Sequence, residues 1–192
     1  MPERTLDGVR VAILVDNDFE QVELTEPRKA LQDAGATCRI VSPKSGTITG
    51  VNHDEKKDKF QVDFTLDQVS ADEFDAVLVP GGALNADSLR VHPKAQEFIR
   101  AMDRAGKPMA VICHAPWLLV SAGLVAGRRL TAYHTIQDDI RNAGGEYEDR
   151  EVVRDGNLVT SRQPSDIPAF NREMIRSFAE FREHSTTMRK VY

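Results

Sequence analysis

Cysteine is scarce in this chain: Cys38 and Cys113 are all that 192 positions hold, and no Cys-x-x-Cys occurs. That excludes a disulfide framework and leaves no zinc-type ligand spacing, so no metal is expected. Long apolar runs are missing too, since none approaches the roughly 20 residues that cross a bilayer. The opening stretch Met1-Pro2-Glu3-Arg4-Thr5-Leu6-Asp7-Gly8 is polar and lacks a signal-like apolar core. The expected compartment is therefore the cytoplasm, where thiols stay reduced. Neither Gly-x-Gly-x-x-Gly nor a P-loop appears, which removes sequence support for a nucleotide, and no cofactor is expected. Positive charge is in deficit, 25 Lys and Arg against 30 Asp and Glu, which argues against a nucleic-acid partner. Repeats, linkers and low-complexity tracts are absent.

What remains is an ordinary globular balance, 41% hydrophobic and 29% charged, in a length that reads as one domain over residues 1–192. Short β-rich runs alternate with helical patterns. Val9 to Val15 is nearly continuously apolar, as in a strand buried on both faces of a parallel sheet. A helix follows over Glu26 to Ala34, stopped by Gly35, and Cys38 to Val41 returns as a strand. Residues 44–66 break the rhythm and read as a hairpin-like excursion at the sheet edge. Strands are expected at Ala76–Val79, Met109–Ile112 and Leu130–Tyr133. Helices are expected at Pro93–Ala105, Pro116–Ser121 and Thr135–Asn142, and Pro93 suits a first helical turn. Val152-Val153 and Leu158–Thr160 flank Asp155-Gly156 as a hairpin. A last helix over Ser165 to Glu183 carries Ile167, Phe170, Met174, Ile175, Phe178 and Phe181 at a 3.6-residue period. The alternation predicts an α/β fold, a mostly parallel sheet with helices on both faces and its active crevice beyond the carboxyl ends of the strands.

Three segments fall at those ends. In Ala110-Val111-Ile112-Cys113-His114-Ala115-Pro116 a buried strand runs straight into a helix with a cysteine at the join. This is the layout of a nucleophile elbow, and free N–H groups at a helix start favour a thiolate. A random cysteine would more often simply pack, but the strand-end position beside His114 tips the balance toward chemistry. Leu78-Val79-Pro80-Gly81-Gly82 alone is a plain turn. Beside Cys113, the N–H of Gly82 and that of His114 could form an oxyanion hole. Asp16-Asn17-Asp18-Phe19-Glu20-Gln21-Val22-Glu23 puts carboxylates at the same rim, and spacing alone does not separate an acid-base role from an acidic helix start. His114 follows the nucleophile directly, and neighbouring side chains on a sharp turn are expected to diverge. Tyr133 and His134 could line the crevice. His53, His92 and His184 read as surface residues, Cys38 as core and Trp117 as packing.

These stretches, with Ser45-Gly46-Thr47-Ile48-Thr49-Gly50, Asp138 to Gly144 and Val159-Thr160-Ser161-Arg162, resemble the PfpI-like branch of the ThiJ/PfpI superfamily over about residues 9–180. The resemblance implies a flavodoxin-like three-layer α/β/α sandwich, similar to class I glutamine amidotransferases. It implies Cys113 as nucleophile, Glu23 as the carboxyl group on the thiol, Glu20 as a second rim acid, and Gly82 and His114 as oxyanion-hole donors. An acid from a neighbouring subunit would complete a Cys-His-acid triad, and the matching position is Asp87, a shorter aspartate where the family has glutamate. Implied activities are deglycation of dicarbonyl-modified proteins, glyoxalase III-type conversion of methylglyoxal to lactate, and intracellular peptide hydrolysis. Some members are stress proteins whose cysteine oxidises. The partners implied are a small dicarbonyl or glycated protein and further copies of the chain, as a homodimer or a hexamer.

Overall fold

A computed structural model of the chain describes residues 5–190, with side chains through residue 185. In chain order the elements are β1 (Arg10–Leu14), β2 (Phe19–Glu20), α1 (Gln21–Asp33), β3 (Thr37–Ser42), β4 (Thr47–Asn52), β5 (Glu55–Gln61), β6 (Phe64–Thr65), β7 (Ala76–Val79), α2 (Ala83–Arg90), α3 (Pro93–Arg104), β8 (Met109–Ile112), α4 (Pro116–Ala122), β9 (Arg129–Leu130), α5 (Gln137–Asn142), β10 (Glu146–Tyr147), β11 (Val152–Asp155), β12 (Leu158–Ser161) and α6 (Ile167–Lys190). Seven strands form the central sheet in the order β11-β12-β8-β7-β1-β3-β6. Every pairing in it is parallel except β11 with β12.

Alternation along the strands sorts side chains onto two faces. Val11, Ile13 and Val15 point to the layer of α1 and α6, where Leu24, Leu31, Phe170, Met174 and Phe178 close the core. Ala12, Leu14, Val77 and Val79 point to the opposite layer, against Leu89, Phe98, Ile99, Met102 and Leu119 of α2, α3 and α4. Each fully buried Val, Leu, Ile, Phe or Met among them contributes roughly 1.5–3 kcal/mol. The result is the three-layer sandwich that the alternation predicts.

Three differences from the sequence expectation matter for the site. Ala83–Arg90, which falls outside the elements expected from the sequence, forms a helix, α2. Residues 47–61 form a hairpin whose inner strand β4 pairs with β2, giving a separate three-stranded sheet beside the crevice. The strand expected over Leu130–Tyr133 stops after Leu130 and pairs with β10 rather than with the central sheet. Thr131 to Tyr133 instead bend inward, and the Tyr133 N–H donates to the Cys113 carbonyl at 2.8 Å. No described helix is long and apolar enough to cross a membrane.

Candidate active site

The crevice forms where β1, β7 and β8 end side by side. Cys113 follows β8 directly and sits at φ 64°, a left-handed conformation that costs a non-glycine residue of order 1–3 kcal/mol. The surroundings over-determine it. Its N–H donates to Ser161 O at 3.0 Å, its carbonyl accepts from Tyr133, and the Ala115 N–H closes the turn onto Ile112 O at 3.1 Å. The sulfur is thereby thrust toward the loop after β7, and the residue is 6% exposed.

Glu23 lies in the first turn of α1 and is fully buried. Its Oε2 accepts from the Gly81 N–H at 2.8 Å. Its Oε1 has no partner of hydrogen-bond geometry among the described residues. The polar group facing the carboxyl is the Cys113 thiol. Burial pushes Glu23 up to about 8, an effect that its bonds to Cys113 and Gly81 only partly offset. Burial also pushes the Cys113 thiol up, and a charged Glu23 pushes it further. The N–H groups of Gly82 and His114 pull it back. Those two donors come from different loops, so the sulfur is served by specific N–H groups and not by the seven-residue helix α4 as a whole.

Two glycines make this convergence possible. A Cβ on Gly81 would stand 2.5 Å from Cys113 Cβ and 2.5 Å from Glu23 Oε2. Gly82 has φ +91°, and a Cβ there would meet the Asp18 carbonyl and the Glu20 N–H at 2.7 Å each. The loop carrying them is fixed by Asn85, which is fully buried. Asn85 Nδ2 donates to the Pro80 and Gly81 carbonyls at 2.9 Å, and its Oδ1 accepts from the Asp16 N–H at 2.7 Å. Asp16 in turn accepts from the Ser88 hydroxyl at 2.6 Å. The sequence gives no sign of Asn85, because its link to Asp16 spans 69 positions and its short bonds to Pro80 and Gly81 depend on a helix that no strong apolar period marks.

His114 does not diverge from its neighbour: Nδ1 stands 3.3 Å from Cys113 Sγ. The left-handed turn at Cys113 folds the next side chain back over the sulfur. Nε2 lies 3.3 Å from the Thr135 hydroxyl. The ring stacks on Tyr133, centroids 4.7 Å apart at 28°, and is flanked by Trp117 at 5.5 Å. Burial, with nearby His134 adding to it, holds the imidazole below its usual range. Trp117 donates to Asp139 at 3.0 Å and carries the Arg90 guanidinium over its face at 5.0 Å. His134 is exposed against Tyr133. Glu20 is 8% exposed and accepts from the His53 N–H at 3.1 Å, tying the β4–β5 hairpin to the rim. Asp87 lies elsewhere, exposed on α2. Among the described residues no hydrogen bond or ion pair joins it to His114. Cys38 is core, as expected, at 2% exposure.

A three-layer sandwich with a cysteine on a left-handed elbow, faced by a buried carboxyl, defines a class of cysteine-centred α/β proteins. The chain belongs to the DJ-1/PfpI family, whose model matches residues 9–177. It is 45% identical over 168 residues to "Deglycase PfpI" of Pyrococcus furiosus, covering 88% of this chain and 98% of that one. It is 39% identical over 166 residues to "Putative cysteine protease YraA" of Bacillus subtilis, covering 86% and 96%. Among solved structures, a two-domain protein with DJ-1/ThiJ/PfpI-like and ferritin-like domains from Anabaena variabilis superposes with a TM-score of 0.83 at 32% identity, covering 88% of this chain and 47% of that one.

Proposed function

We propose that this chain is a cysteine-dependent, cofactor-independent enzyme of the cytoplasm that protects against reactive dicarbonyls by acting on them or on their protein adducts. The observation that carries the reading is the convergence on one sulfur of the buried Glu23 carboxyl and of N–H groups from two separate loops. The Pyrococcus relative's name, a deglycase, points the same way.

The chemistry follows from the charges. Glu23 and Cys113 are too close and too dry to ionise together. With Glu23 protonated up to about pH 8, its O–H is a donor for the thiolate rather than a repelling charge. The thiolate attacks the aldehyde carbon of methylglyoxal, forming the C–S bond of a hemithioacetal. The oxyanion, met by the Gly82 and His114 N–H groups, takes the Glu23 proton. The Glu23 carboxylate then removes that carbon's hydrogen as a proton and returns it to the neighbouring carbon, while the hydroxyl proton crosses from the first oxygen to the second. The former aldehyde is oxidised to a thioester while the ketone is reduced to an alcohol. Water cleaves the thioester, releasing lactate and the thiol, and the remaining proton restores the Glu23 carboxyl.

A second reading, a cysteine peptidase, draws on the 3.3 Å approach of His114 Nδ1 to the sulfur and on the Bacillus relative's name. It needs Asp87 from another copy of the chain. Exposed Leu84 and Val91, 66% and 71% accessible on and just after the helix that bears Asp87, are apolar surface that a second copy would cover. Lactate release from methylglyoxal and from a glycated peptide, compared between the wild type and Cys113→Ser, decides the leading reading. Turnover by the wild type alone supports it, and no wild-type turnover of either substrate removes it. Equal peptide hydrolysis by wild type and Asp87→Ala rejects the acid supplied in trans.

A further inference from the structure

Glu23 is fully buried and Cys113 nearly so, yet a proton must travel between this pair and water. The carboxyl offers no exit of its own. Oε2 is held by the Gly81 N–H, and Oε1 faces no aligned partner among the described residues. One line of polar atoms does lead outward. It runs from Cys113 Sγ to His114 Nδ1 at 3.3 Å, through the half-buried imidazole, and from Nε2 to Thr135 Oγ1 at 3.3 Å. Thr135 is exposed. The ring on this line stacks on Tyr133 and lies against Trp117, contacts that restrict its rotation and keep one nitrogen toward the sulfur and the other toward Thr135.

We propose that His114 and Thr135 form the proton path between the buried Cys113–Glu23 pair and solvent, with Thr135 the positioning residue that keeps the ring aligned on both sides. In the thiol state S–H donates to Nδ1, and Nε2–H donates to the Thr135 oxygen. As the path runs, the sulfur proton passes to Nδ1, the Nε2 proton passes to Oγ1, and the hydroxyl's former proton leaves to water. The thiolate then accepts from Nδ1–H, and Nε2 accepts from the Thr135 hydroxyl. No bond other than those to hydrogen changes, and one proton is released. A hydroxyl suits the outer end because it both donates and accepts, whereas a carboxylate there would only accept and would hold the proton on Nε2.

The kinetic role rests on the proposed function, so the test has one arm that needs no substrate. Thr135→Val keeps the shape and removes the hydroxyl, and Thr135→Ser restores it. With methylglyoxal, Val lowers kcat roughly tenfold while KM stays within about twofold, and Ser recovers the rate. An undiminished kcat in Val, or a loss that Ser does not recover, overturns the path. Separately, 15N spectra of the His114 ring report its tautomer without turnover. Val shifts the Nε2 resonance and Ser leaves it near the wild-type position, whereas an Nε2 resonance identical in all three proteins refutes the contact. Absent wild-type turnover strikes the proposed function, and the spectra still decide the path.

Discussion

The mid-strand site of Cys38 and the elbow of Cys113 hold the same side chain at nearly equal burial, 2% and 6% exposed. Burial pushes both thiols up, Cys38 to about 12. What separates them is backbone and company. Cys38 lies in β3, paired across to Val11, among Val9, Leu31 and Ile40. Cys113 stands at φ 64° with two N–H donors and a carboxyl on its sulfur. Burial therefore does not by itself separate the two thiols. The polar groups that the fold brings to the sulfur do.

The largest expected effect tests that contrast directly. Cys113→Ala lowers methylglyoxal turnover at least about a thousandfold, while Cys38→Ala keeps it within about twofold. Peptide mass spectrometry after brief treatment of the native protein with iodoacetamide marks Cys113 and leaves Cys38 unmodified. Equal labelling of both would erase the distinction.

The next effect asks how tightly the elbow depends on its opposing loop. Gly81→Ala drives a methyl group between Cys113 and Glu23. It should lower kcat by about 10²–10³, the scale of losing an oriented donor, and lower the melting temperature as well. Activity preserved in this variant would mean that the close approach is dispensable.

A third effect separates the two sites by pH. Glu23 binds its proton in the folded state up to about pH 8, against 4.5 when unperturbed. Between those values the folded chain holds a proton that the unfolded chain has released, so stability falls as pH rises. The slope from this one group is up to about 1.4 kcal/mol per pH unit. Urea unfolding at pH 5.5 and 7.5 should show that loss in the wild type and a smaller one in Glu23→Gln. Identical pH dependence in both would place the carboxyl's proton elsewhere.

The sequence carried the central strands, the last helix and the elbow, because each is a local pattern. Val9 to Val15 and Met109 to Ile112 are continuous apolar runs, and Cys113 announces itself by standing where one ends. Helix α2 is not legible, since Pro80-Gly81-Gly82 reads as a turn and Ala83–Arg90 has only a weak apolar stripe. The strand over Leu130–Tyr133 ends early because the Thr131 N–H goes to the Thr160 hydroxyl and the Tyr133 N–H to the Cys113 carbonyl, partners that local pattern does not announce. Asn85 and Thr135 could not be read at all. Their partners, Asp16 and His114, lie far off in the chain, and only the folded topology brings them together.

The smallest expected effect sharpens the Cys38 side of the contrast. Cys38 packs in an apolar cluster, and the Arg28 and Arg39 charges only partly offset the burial of its thiol, so the site should tolerate loss of volume better than gain of polarity. Cys38→Ala removes one sulfur from a packed site and should cost about 1 kcal/mol. Cys38→Ser is nearly isosteric but buries a hydroxyl among the apolar side chains of this layer. An unpaired buried hydroxyl costs about 1–3 kcal/mol, so serine should be the worse substitute here. At the elbow the order of stability should reverse, because Gly82 and His114 N–H groups stand ready for a serine oxygen. Urea titration of the four variants checks both orders. Serine no worse than alanine at position 38 would show that this strand site offers a polar partner after all, and the difference between the two cysteines would then lie in backbone conformation alone.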